Sequence, residues 1–531
     1  MNQKIFKSLA PGIRSIPLVN SWFAHMYLVA PSTFGHYTQY HLDLLDSFIN
    51  DPSQHLDSIN VPELIGGPFI NYTGDPVEME KFRDRTRERC ATQLRGAEAI
   101  NAMYQMILAQ AKGSGVPGLY AQIDELIRHG VELSYDVCKQ PVARMIEKVL
   151  YDSPLYDTSL QTCILEKATY EPRTFVLSTP QIHRQPSSVE LRLPFGDPLW
   201  NHMSSGRHDI GELLEMLRPH IDDPARDIPF LEGMFIDHPT GTDADDVPAD
   251  KVRVRYFGHA CVLMECAGVS VLIDPLISYP GESTLDHFTF DDLPARIDYV
   301  LITHPHQDHV VLETLLRLRS KVEHVVVGRA GGGHLPDVSL KLMLNHCGFD
   351  RVIELAEYET LDFEGGRIIG APFYGEHADL DIRSKLAFGV QMHDVNCLFF
   401  ADSNPPTAEF YTPLKKLMPR IDCLFLGMEC VGAPATWLYG PLLQKMLTRG
   451  EDQSRRLDGC DSARALDMHR FFDPEHIFVY AMGAEPWLKH ITSILYSEEL
   501  PQFKEARILE STVRSQGRQA EVLYGKRELV L

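Results

Sequence analysis

The segment THPHQDH, residues 303–309, limits the possible folds and functions of this chain more than any other segment. It holds three histidines and one aspartate directly after the apolar run RIDYVLI, which is typical of a buried β-strand. The segment that follows, VVLETLLRLRS, has the apolar spacing of a helix. The sequence therefore predicts a strand, a polar loop and a helix, with four nitrogen and oxygen donors concentrated at the strand end.

The spacing of these donors indicates metal binding. His304 and His306 are two positions apart, so on an extended backbone both imidazoles point the same way and can bind one ion. Asp308 and His309 follow where the helix begins, and the turn can direct them toward a second ion. The alternative is a solvated polar loop, but this many donors at the end of a buried strand favour a two-metal site.

Length and charge limit the class of protein. With 531 residues the chain exceeds the usual size of a single domain, so two or three domains are expected. Hydrophobic residues make up 44% and charged residues 23%, the balance of an ordinary soluble globular protein. The net charge of -23 argues against general binding to nucleic acid or anionic membranes, because both need basic surface.

The cysteines and the N-terminal segment indicate the compartment. Ten scattered cysteines without a C-x-x-C pair fit a reducing cytosol and argue against a zinc knuckle or a redox pair. The N-terminal segment has no uninterrupted apolar core, and WFAHMYLVA at 22–30 is far too short to span a bilayer. A cytoplasmic protein is the prediction.

The pattern of the chain changes near residue 250. Residues 221–250 contain four prolines and eight aspartates, so we predict a linker there, although its segment IPFLEGMFI should pack on something. Residues 1–220 form the predicted N-terminal α/β domain, and residues 251–531 form the second domain, in which short apolar strands alternate with turns and helices.

Several elements are predicted in the N-terminal part. Asp75 and Pro76 begin a helical pattern that ends at Gly113. Further helices are expected at 118–137 and 209–221, and strands at 173–179 and 188–195.

The second part begins with a predicted β-hairpin. Residues 251–275 alternate, turn at Ala267-Gly268 and run apolar into Asp274. Five later apolar strands end in polar or glycine-rich turns, where binding residues are commonly placed; they lie within 324–332, 366–377, 395–404, 421–430 and 475–483.

The second part resembles the metallo-β-lactamase superfamily. The motif at 303–309 matches its H-x-H-x-D-H signature in full, and GHAC at 258–261 and IDP at 273–275 lie where that family places its opening strands. The resemblance implies an αββα sandwich over roughly residues 250–531, with the site at the loop edge. It does not extend to the N-terminal half.

The resemblance implies further ligands at later strand ends. Asp402, in CLFFADSN, matches the bridging aspartate, although aspartate also commonly begins turns. His490 is the candidate for a C-terminal histidine, with a histidine on a surface helix as the alternative. His469 and His476 compete with it, but their charged neighbours suggest exposure to solvent.

One further ligand position distinguishes a zinc hydrolase from an iron or manganese enzyme. After the strand GRIIGAPFYG, Glu376 comes first and His377 second, where a hydrolase of this superfamily presents a histidine. We favour Glu376 as the ligand and keep His377 as the alternative; either residue can instead cap the next segment. A third carboxylate beside Asp308 and Asp402 suits iron or manganese better than zinc.

A large N-terminal domain together with YGEHAD resembles the diiron β-hydroxylases of nonribosomal peptide biosynthesis. That resemblance implies a non-haem cluster of two iron ions, with O2 as co-substrate. It implies an amino acid bound as a thioester to the thiolation domain of a peptide synthetase, and p-aminophenylalanine where the product is chloramphenicol. An external electron donor and a homodimer formed through the N-terminal domain are also implied.

The same resemblance implies which ligands bind each of the two irons. One iron would be held by His304, His306 and Glu376, the other by Asp308, His309 and His490, with Asp402 bridging. Aromatic residues near strand ends are candidates for stacking on an aryl substrate, although each is more often plain packing; they are Tyr279, Phe373, Tyr374, Trp437, Tyr439 and Trp487.

Two other functions compete with the hydroxylase. A dinuclear zinc hydrolase acting on a lactone, thioester or phosphodiester is the default of the superfamily. The negative net charge argues against a nuclease acting on phosphodiesters, and Glu376 argues against a zinc site in general. A non-catalytic docking module suits the N-terminal half alone, because the second half holds a full set of candidate ligands.

Overall fold

The computed structural model describes residues 5–237, 250–281, 283–494 and 496–531. Two α/β units follow one another along the chain, so the predicted fold class is confirmed. Among the described residues, no helix combines the length and the apolar character needed to cross a bilayer.

The first unit contains ten α-helices and eight strands within the described residues. Its elements in chain order are β1 (Lys7–Leu9), β2 (Ile13–Val19), β3 (Trp22–Phe23), α1 (Met26–Val29), α2 (Phe34–Asn50), α3 (Pro52–Ser58), α4 (Pro76–Arg89), α5 (Ala91–Gln110), α6 (Glu125–Arg128), β4 (Val131–Tyr135), β5 (Pro141–Met145), α7 (Glu147–Tyr151), β6 (Gln161–Lys167), β7 (Val189–Leu191), α8 (Leu199–Ser205), α9 (Ile210–Leu217), α10 (Pro224–Glu232) and β8 (Phe235–Asp237). Its main sheet has the order β3-β2-β6-β7, and β4 pairs with β5 and β1 with β8.

Several predictions for this unit need correction. The helix predicted from Asp75 to Gly113 is two helices, α4 and α5, because the backbone leaves helical geometry at Cys90. Asp75 caps the first of them, since its side chain accepts from the Val77 N–H. Residues 118–137 are not one helix: α6 stops before Gly130, and β4 follows with the alternating burial of a strand.

The two strands predicted later in this unit are wrong or too long. Residues 173–175 are irregular and 176–179 form a turn and a bend instead of a strand; the Val176 N–H donates to the His490 carbonyl oxygen and not to a neighbouring strand. Of residues 188–195 only β7 is extended in a sheet.

The predicted linker is shorter than expected. Residues 224–237 contain α10 and β8, and β8 pairs antiparallel with β1 at the start of the chain, so this stretch is part of the first unit. The remaining part of the predicted linker, residues 238–249, lies outside the described residues.

The second unit contains fourteen strands and eight α-helices within the described residues. They are β9 (Arg253–Gly258), β10 (Cys261–Cys266), β11 (Val269–Ile273), β12 (Ile297–Ile302), α11 (Leu312–Leu318), β13 (Val322–Gly328), α12 (Leu340–His346), β14 (Val352–Leu355), β15 (Thr360–Phe363), β16 (Gly366–Ala371), β17 (Ala387–Met392), β18 (Val395–Phe399), α13 (Thr412–Leu417), β19 (Cys423–Gly427), α14 (Ala435–Tyr439), α15 (Arg449–Ser454), α16 (Ser462–Phe472), β20 (His476–Tyr480), α17 (Lys489–Thr492), α18 (Pro501–Ser515), β21 (Gln519–Val522) and β22 (Arg527–Val530).

These strands form two seven-stranded sheets that pack face to face. Their orders are β14-β13-β12-β11-β10-β9-β22 and β15-β16-β17-β18-β19-β20-β21. Buried side chains of both sheets, among them Val262, Leu301, Phe388 and Phe425, form one apolar core between them. With helices outside both sheets, the expected αββα sandwich is confirmed.

The first unit packs on the helical layer beside β12 and β13. Helix α11, which follows the metal-binding motif, donates from Arg317 to the Ile13 carbonyl oxygen at 2.9 Å. Its Glu313 binds Arg173 of the first unit at 2.6 Å, with both side chains buried. The helix after the motif is therefore fixed by contacts with the other unit.

Candidate metal centre

The predicted donors meet where strands of both sheets end. β11 runs parallel to β12, and β18 runs parallel to β19, so their carboxyl ends lie at one edge of the sandwich. Asp274 follows β11, the motif at 303–309 follows β12, and Asp402 follows β18. Glu376 comes from the loop after β16, in which Gly375 and Glu376 both have left-handed backbone conformations, with φ of 68° and 65°.

Four side chains form the first group of possible metal ligands. His304, His306, Glu376 and His377 each place a donor atom within 4.8 Å of the others. Nδ1 of His306 lies 2.8 Å from Oε1 of Glu376, and Nδ1 of His377 lies 2.8 Å from Oε2 of the same carboxylate. The structure thus brings both alternatives, Glu376 and His377, to one place.

A second group lies beside the first. His259, Asp308 and His309 also place donor atoms within 4.8 Å of one another, and Nε2 of His259 lies 3.2 Å from Oδ2 of Asp308. Asp402 lies between the groups, because its Oδ2 is 3.0 Å from Nε2 of His309 and 3.6 Å from Nε2 of His304. The two groups could therefore hold two adjacent ions, with Asp402 placed to be shared between them.

Asp274 orients two of the histidines. Its Oδ2 accepts from Nδ1 of His309 at 2.8 Å and from the Thr303 hydroxyl at 2.6 Å. The Thr303 oxygen in turn lies 3.0 Å from Nδ1 of His304. With both Nδ1 atoms in these hydrogen bonds, Nε2 of His304 and of His309 carries the lone pair that a metal needs.

Several buried donor atoms at this site have no hydrogen-bond partner, as expected if a metal binds there. Within the described part of the chain, Nε2 of His304, His309 and His377, and Oδ1 of Asp402, are buried and make no hydrogen bond. Buried polar groups are normally satisfied, so a cluster of unsatisfied lone pairs aimed at one region fits a pair of cations. Three carboxylates with several imidazoles match the donor preference of iron.

The electrostatics of the site are those of a dense anionic cluster. Burial lowers the pKa of His304 well below its ordinary value, and the neighbouring histidines act in the same direction. Burial alone would also lower the pKa of His309, but Asp308, Asp274 and Asp402 outweigh it and raise that pKa.

Glu429, which follows β19, is a further carboxylate near these groups. Burial and the charges of Asp402, Asp308 and Glu376 raise its pKa well above the ordinary value. Glu429 is not among the predicted ligands, although it lies just after the apolar strand predicted within 421–430.

The structure does not bring His490 together with the other predicted ligands. The structure places it on α17, where its Nδ1 lies 3.4 Å from Oε2 of Glu171 of the first unit, and it is in neither group of donors. It is also buried, not a histidine on an exposed surface. The competitors His469 and His476 do not join the groups either, and His469 is buried, contrary to its predicted exposure.

His259 takes the place next to Asp308 and His309. It follows β9 with a left-handed φ of 52°, its N–H donates to Glu485 at 3.0 Å, and its carbonyl oxygen accepts from the Ala481 N–H at 2.9 Å. The sequence did contain a signal for His259: it lies between the small residues Gly258 and Ala260 at the end of a predicted strand. The segment GHAC indicated only the position of the opening strands, so His259 was not among the predicted ligands.

The aromatic candidates separate into two classes. Phe373 and Tyr439 contact the site: the Phe373 ring centroid lies 4.9 Å from that of His304, and the Tyr439 hydroxyl lies 2.8 Å from Nε2 of His306. The others pack elsewhere: Tyr279 against Phe290, Tyr374 against Phe410 and Tyr411, Trp487 against His287, and Trp437 beside Gly67.

Comparison with known proteins agrees with this architecture. Residues 8–237 match the family described as diiron non-heme beta-hydroxylase N-terminal domain, and residues 253–424 match the beta-lactamase superfamily domain. The chain is 32% identical over 531 residues to 4-amino-L-phenylalanyl-[CmlP-peptidyl-carrier-protein] 3-hydroxylase of Streptomyces venezuelae, covering 99% of both chains.

Solved structures give the same relationship. The crystal structure of CmlA, a diiron beta-hydroxylase from Streptomyces venezuelae, superposes with a TM-score of 0.91 at 31% identity, with 100% of each chain covered. A UPF0173 protein of Pyrococcus abyssi is 30% identical over only 126 residues, 24% of this chain and 50% of that protein. The similarity to the hydroxylase therefore extends over both units.

Proposed function

The chain belongs to the family of diiron non-heme β-hydroxylases, and we propose from this premise that it hydroxylates the β-carbon of an amino acid bound to a carrier protein. The proposed substrate is L-p-aminophenylalanine, held as a thioester on the thiolation domain of a nonribosomal peptide synthetase in chloramphenicol-type biosynthesis. The relative of Streptomyces venezuelae is named for that aminoacyl group and for a peptidyl-carrier protein. The zinc hydrolase alternative loses support, because the full-length similarity is to a hydroxylase.

One observation carries the chemistry: Glu376 lies against His306 where a hydrolase of this fold presents a histidine. We assign His304, His306 and Glu376 to one iron, and His259, Asp308 and His309 to the other, with Asp402 shared. His377 remains the alternative to Glu376, since the structure places it in the same group. When bound, the two irons supply the activation of O2 that insertion of oxygen into a C–H bond requires.

Side chains of the protein orient the candidate ligands, shield the site from water and leave one side open to the substrate. Asp274 orients His304 and His309 through Nδ1, directly or through Thr303. Apolar Phe373 covers the imidazole of His304 and limits access of water to that side. Asp308 has the most exposed side chain among these candidate ligands, at 16%, so an aminoacyl group carried on a flexible arm would approach from its side.

The remaining roles are further proposals. An external electron donor must supply two electrons for each turnover, because one atom of O2 enters the C–H bond and the other is reduced to water. We propose a cytoplasmic location, because the scattered cysteines fit a reducing compartment. We also propose a homodimer formed through the first unit.

The test uses the full-length protein, purified in air. Iron and zinc content and the visible spectrum are measured first. The reduced protein is then exposed to O2 with a thiolation domain loaded with p-aminophenylalanine. Two irons per chain and a mass increase of one oxygen atom on the loaded carrier are expected.

The matched control is free p-aminophenylalanine, which should stay unmodified. Two zinc ions without an added oxygen, or hydrolysis of the thioester in place of hydroxylation, would refute the proposal.

A further inference from the structure

The turn that carries His259 has an uncommon backbone conformation. β9 ends at Gly258 and β10 begins at Cys261, so His259 and Ala260 form a two-residue hairpin turn. The first turn residue, His259, has a φ of 52°, a position where such hairpins favour glycine, asparagine or aspartate. A left-handed conformation is uncommon for a residue with a larger side chain, so contacts from outside the hairpin must stabilise it.

Three residues that follow β20 make these contacts. The Ala481 N–H donates to the His259 carbonyl oxygen at 2.9 Å, and Oε1 of Glu485 accepts from the His259 N–H at 3.0 Å. The Trp487 ring packs against Gly258, where a Cβ would lie 2.7 Å from the ring. β9 and β20 belong to different sheets, so a loop of one sheet holds the hairpin turn of the other.

The contact between Glu485 and the turn is buried. Only 2% of the Glu485 surface and 1% of the His259 surface are exposed. Oε1 of Glu485 also accepts the hydroxyl proton of Tyr256, a buried residue of β9. Tyr256 thus holds the carboxylate in place, and the carboxylate holds the His259 peptide. Because a buried N–H without an acceptor is destabilising, the turn depends on this acceptor for its conformation.

Among the described residues, the imidazole of His259 lacks the orienting hydrogen bond that His309 has. Nε2 of His259 lies 3.2 Å from Oδ2 of Asp308, but its Nδ1 is buried and has no hydrogen-bond partner in this part of the chain. Nδ1 of His309 is bonded to Asp274, which is the usual way in which a protein orients a histidine ligand. The direction of the His259 ring therefore depends on the backbone of its turn.

We propose that Glu485 is a positioning residue for His259. Its carboxylate fixes the turn between β9 and β10, so that the imidazole faces Asp308 and completes the second donor group. The inference rests on the proposed function in taking His259 as a ligand. It goes beyond the ligand set, because it makes the loop after β20 responsible for the position of one ligand.

The experiment measures metal affinity in the full-length protein. Metal is removed with a chelator, and the apo-protein is titrated with Co²⁺ while its visible absorption is recorded. Glu485→Ala is expected to weaken one of the two binding steps about 10- to 100-fold, the usual effect of losing a group that orients a ligand. His259→Ala should weaken the same step, and the double variant should bind no more weakly than His259→Ala.

Two conservative variants separate positioning from charge. Glu485→Gln removes the negative charge but keeps an oxygen that accepts from the His259 N–H, so its affinity should stay close to that of the parent protein. Glu485→Asp keeps the charge but is one methylene group shorter, so it should weaken the same step as Glu485→Ala. This pair decides the question if Glu485→Ala does not fold.

Three results would overturn the inference. The first is an affinity of Glu485→Asp equal to or above that of Glu485→Gln, which would leave no role for the reach of the side chain. The second is parental affinity in Glu485→Ala. The third is additive effects of the two changes in the double variant, because Glu485 would then act by a route other than His259.

Glu147→Ala is the matched control. Glu147 is a buried carboxylate that also accepts from a backbone N–H, that of Ser339 at 3.0 Å, but it belongs to no donor group among the described residues. Its removal should leave both binding steps unchanged. Loss of the same step in this variant would show that general destabilisation, and not the position of His259, lowers the affinity, and would count against the inference.

Failure of this inference is distinguishable from failure of the proposed function. If the parent protein itself binds no Co²⁺, the metal centre and the inference fail together. If His259→Ala weakens one binding step and Glu485→Ala does not, the ligand assignment and the proposed function stand, and the role of Glu485 is wrong.

Discussion

Oδ2 of Asp274 lies 2.8 Å from Nδ1 of His309 and also accepts the Thr303 hydroxyl proton, so one carboxylate orients two imidazoles of the metal centre. We expect Asp274→Asn to lower metal affinity about 10- to 100-fold, since an amide accepts these bonds more weakly and can present N–H to the imidazole instead. Iron content after dialysis against a weak chelator measures the effect.

The control for that variant is Asp422→Asn. Asp422 is also buried and accepts from a backbone N–H, that of Asn396, but it belongs to no donor group. Retention of both irons in the Asp274 variant would show that this carboxylate does not support the ligands.

Replacement of His259 tests the corrected ligand set. His259→Ala removes a donor beside Asp308 and His309, so iron content should fall toward one ion per chain. His490→Ala should retain both ions, because His490 lies beside Glu171, with 3.4 Å between Nδ1 and Oε2, and outside both donor groups. Loss of iron in the His490 variant, with none in the His259 variant, would restore the ligand set predicted from the sequence.

Glu376 determines the preferred metal if it is a ligand. Glu376→His removes a hard anionic donor, so we expect less hydroxylation and a larger share of bound zinc, measured by elemental analysis and product mass. His377→Gln is the companion variant, and it should retain iron. Hydroxylation unaffected by the Glu376 change but abolished by the His377 change would make His377 the ligand.

The contact between Glu313 and Arg173 is a buried ion pair between the two units. Glu313→Gln leaves the buried Arg173 guanidinium with only Glu171 as an anionic partner, and loss of one partner of a buried pair costs about 3 kcal/mol. Unfolding by urea should show a lower midpoint. An equal effect from Glu323→Gln, in an exposed pair with Arg351, would contradict this assignment.

Acid should destabilise the protein partly through His490. Burial, reinforced by Arg173, lowers the pKa of His490 to about 3, from about 6.5 in the unfolded chain. A depressed histidine pKa means that the unfolded chain binds the proton first, so stability falls as the pH drops from about 6.5 toward 3.

His490→Gln should flatten that part of the pH dependence, as measured by urea unfolding of the metal-free protein. His129→Gln, at an exposed histidine, is the control and should leave the slope unchanged. An unaltered slope in the His490 variant would show that another group carries the acid sensitivity.

Much of the second unit followed from local pattern. Apolar runs bounded by turns located strands such as β12 and β18, and the hairpin turn at Ala267-Gly268 is present, with positive φ at both residues. The first unit was harder, because the pattern at 118–137 satisfies a helical period while Gly130 and the pairing of β4 with β5 impose a strand.

By itself, the sequence determined the donors whose positions depend on a strand and the few residues after it. His304, His306, Asp308 and His309 form one local motif, and Glu376 and Asp402 each lie within five residues of the end of an apolar strand. Backbone geometry over a few residues places such side chains at the sheet edge, so their convergence was predictable.

Only the tertiary structure decided which distant residues complete the centre. His259 follows β9 and His490 lies on α17, and the fold places His259 beside Asp308 but His490 beside Glu171. Such contacts depend on how two units pack, and side-chain packing over long separations leaves no periodic signal in the sequence.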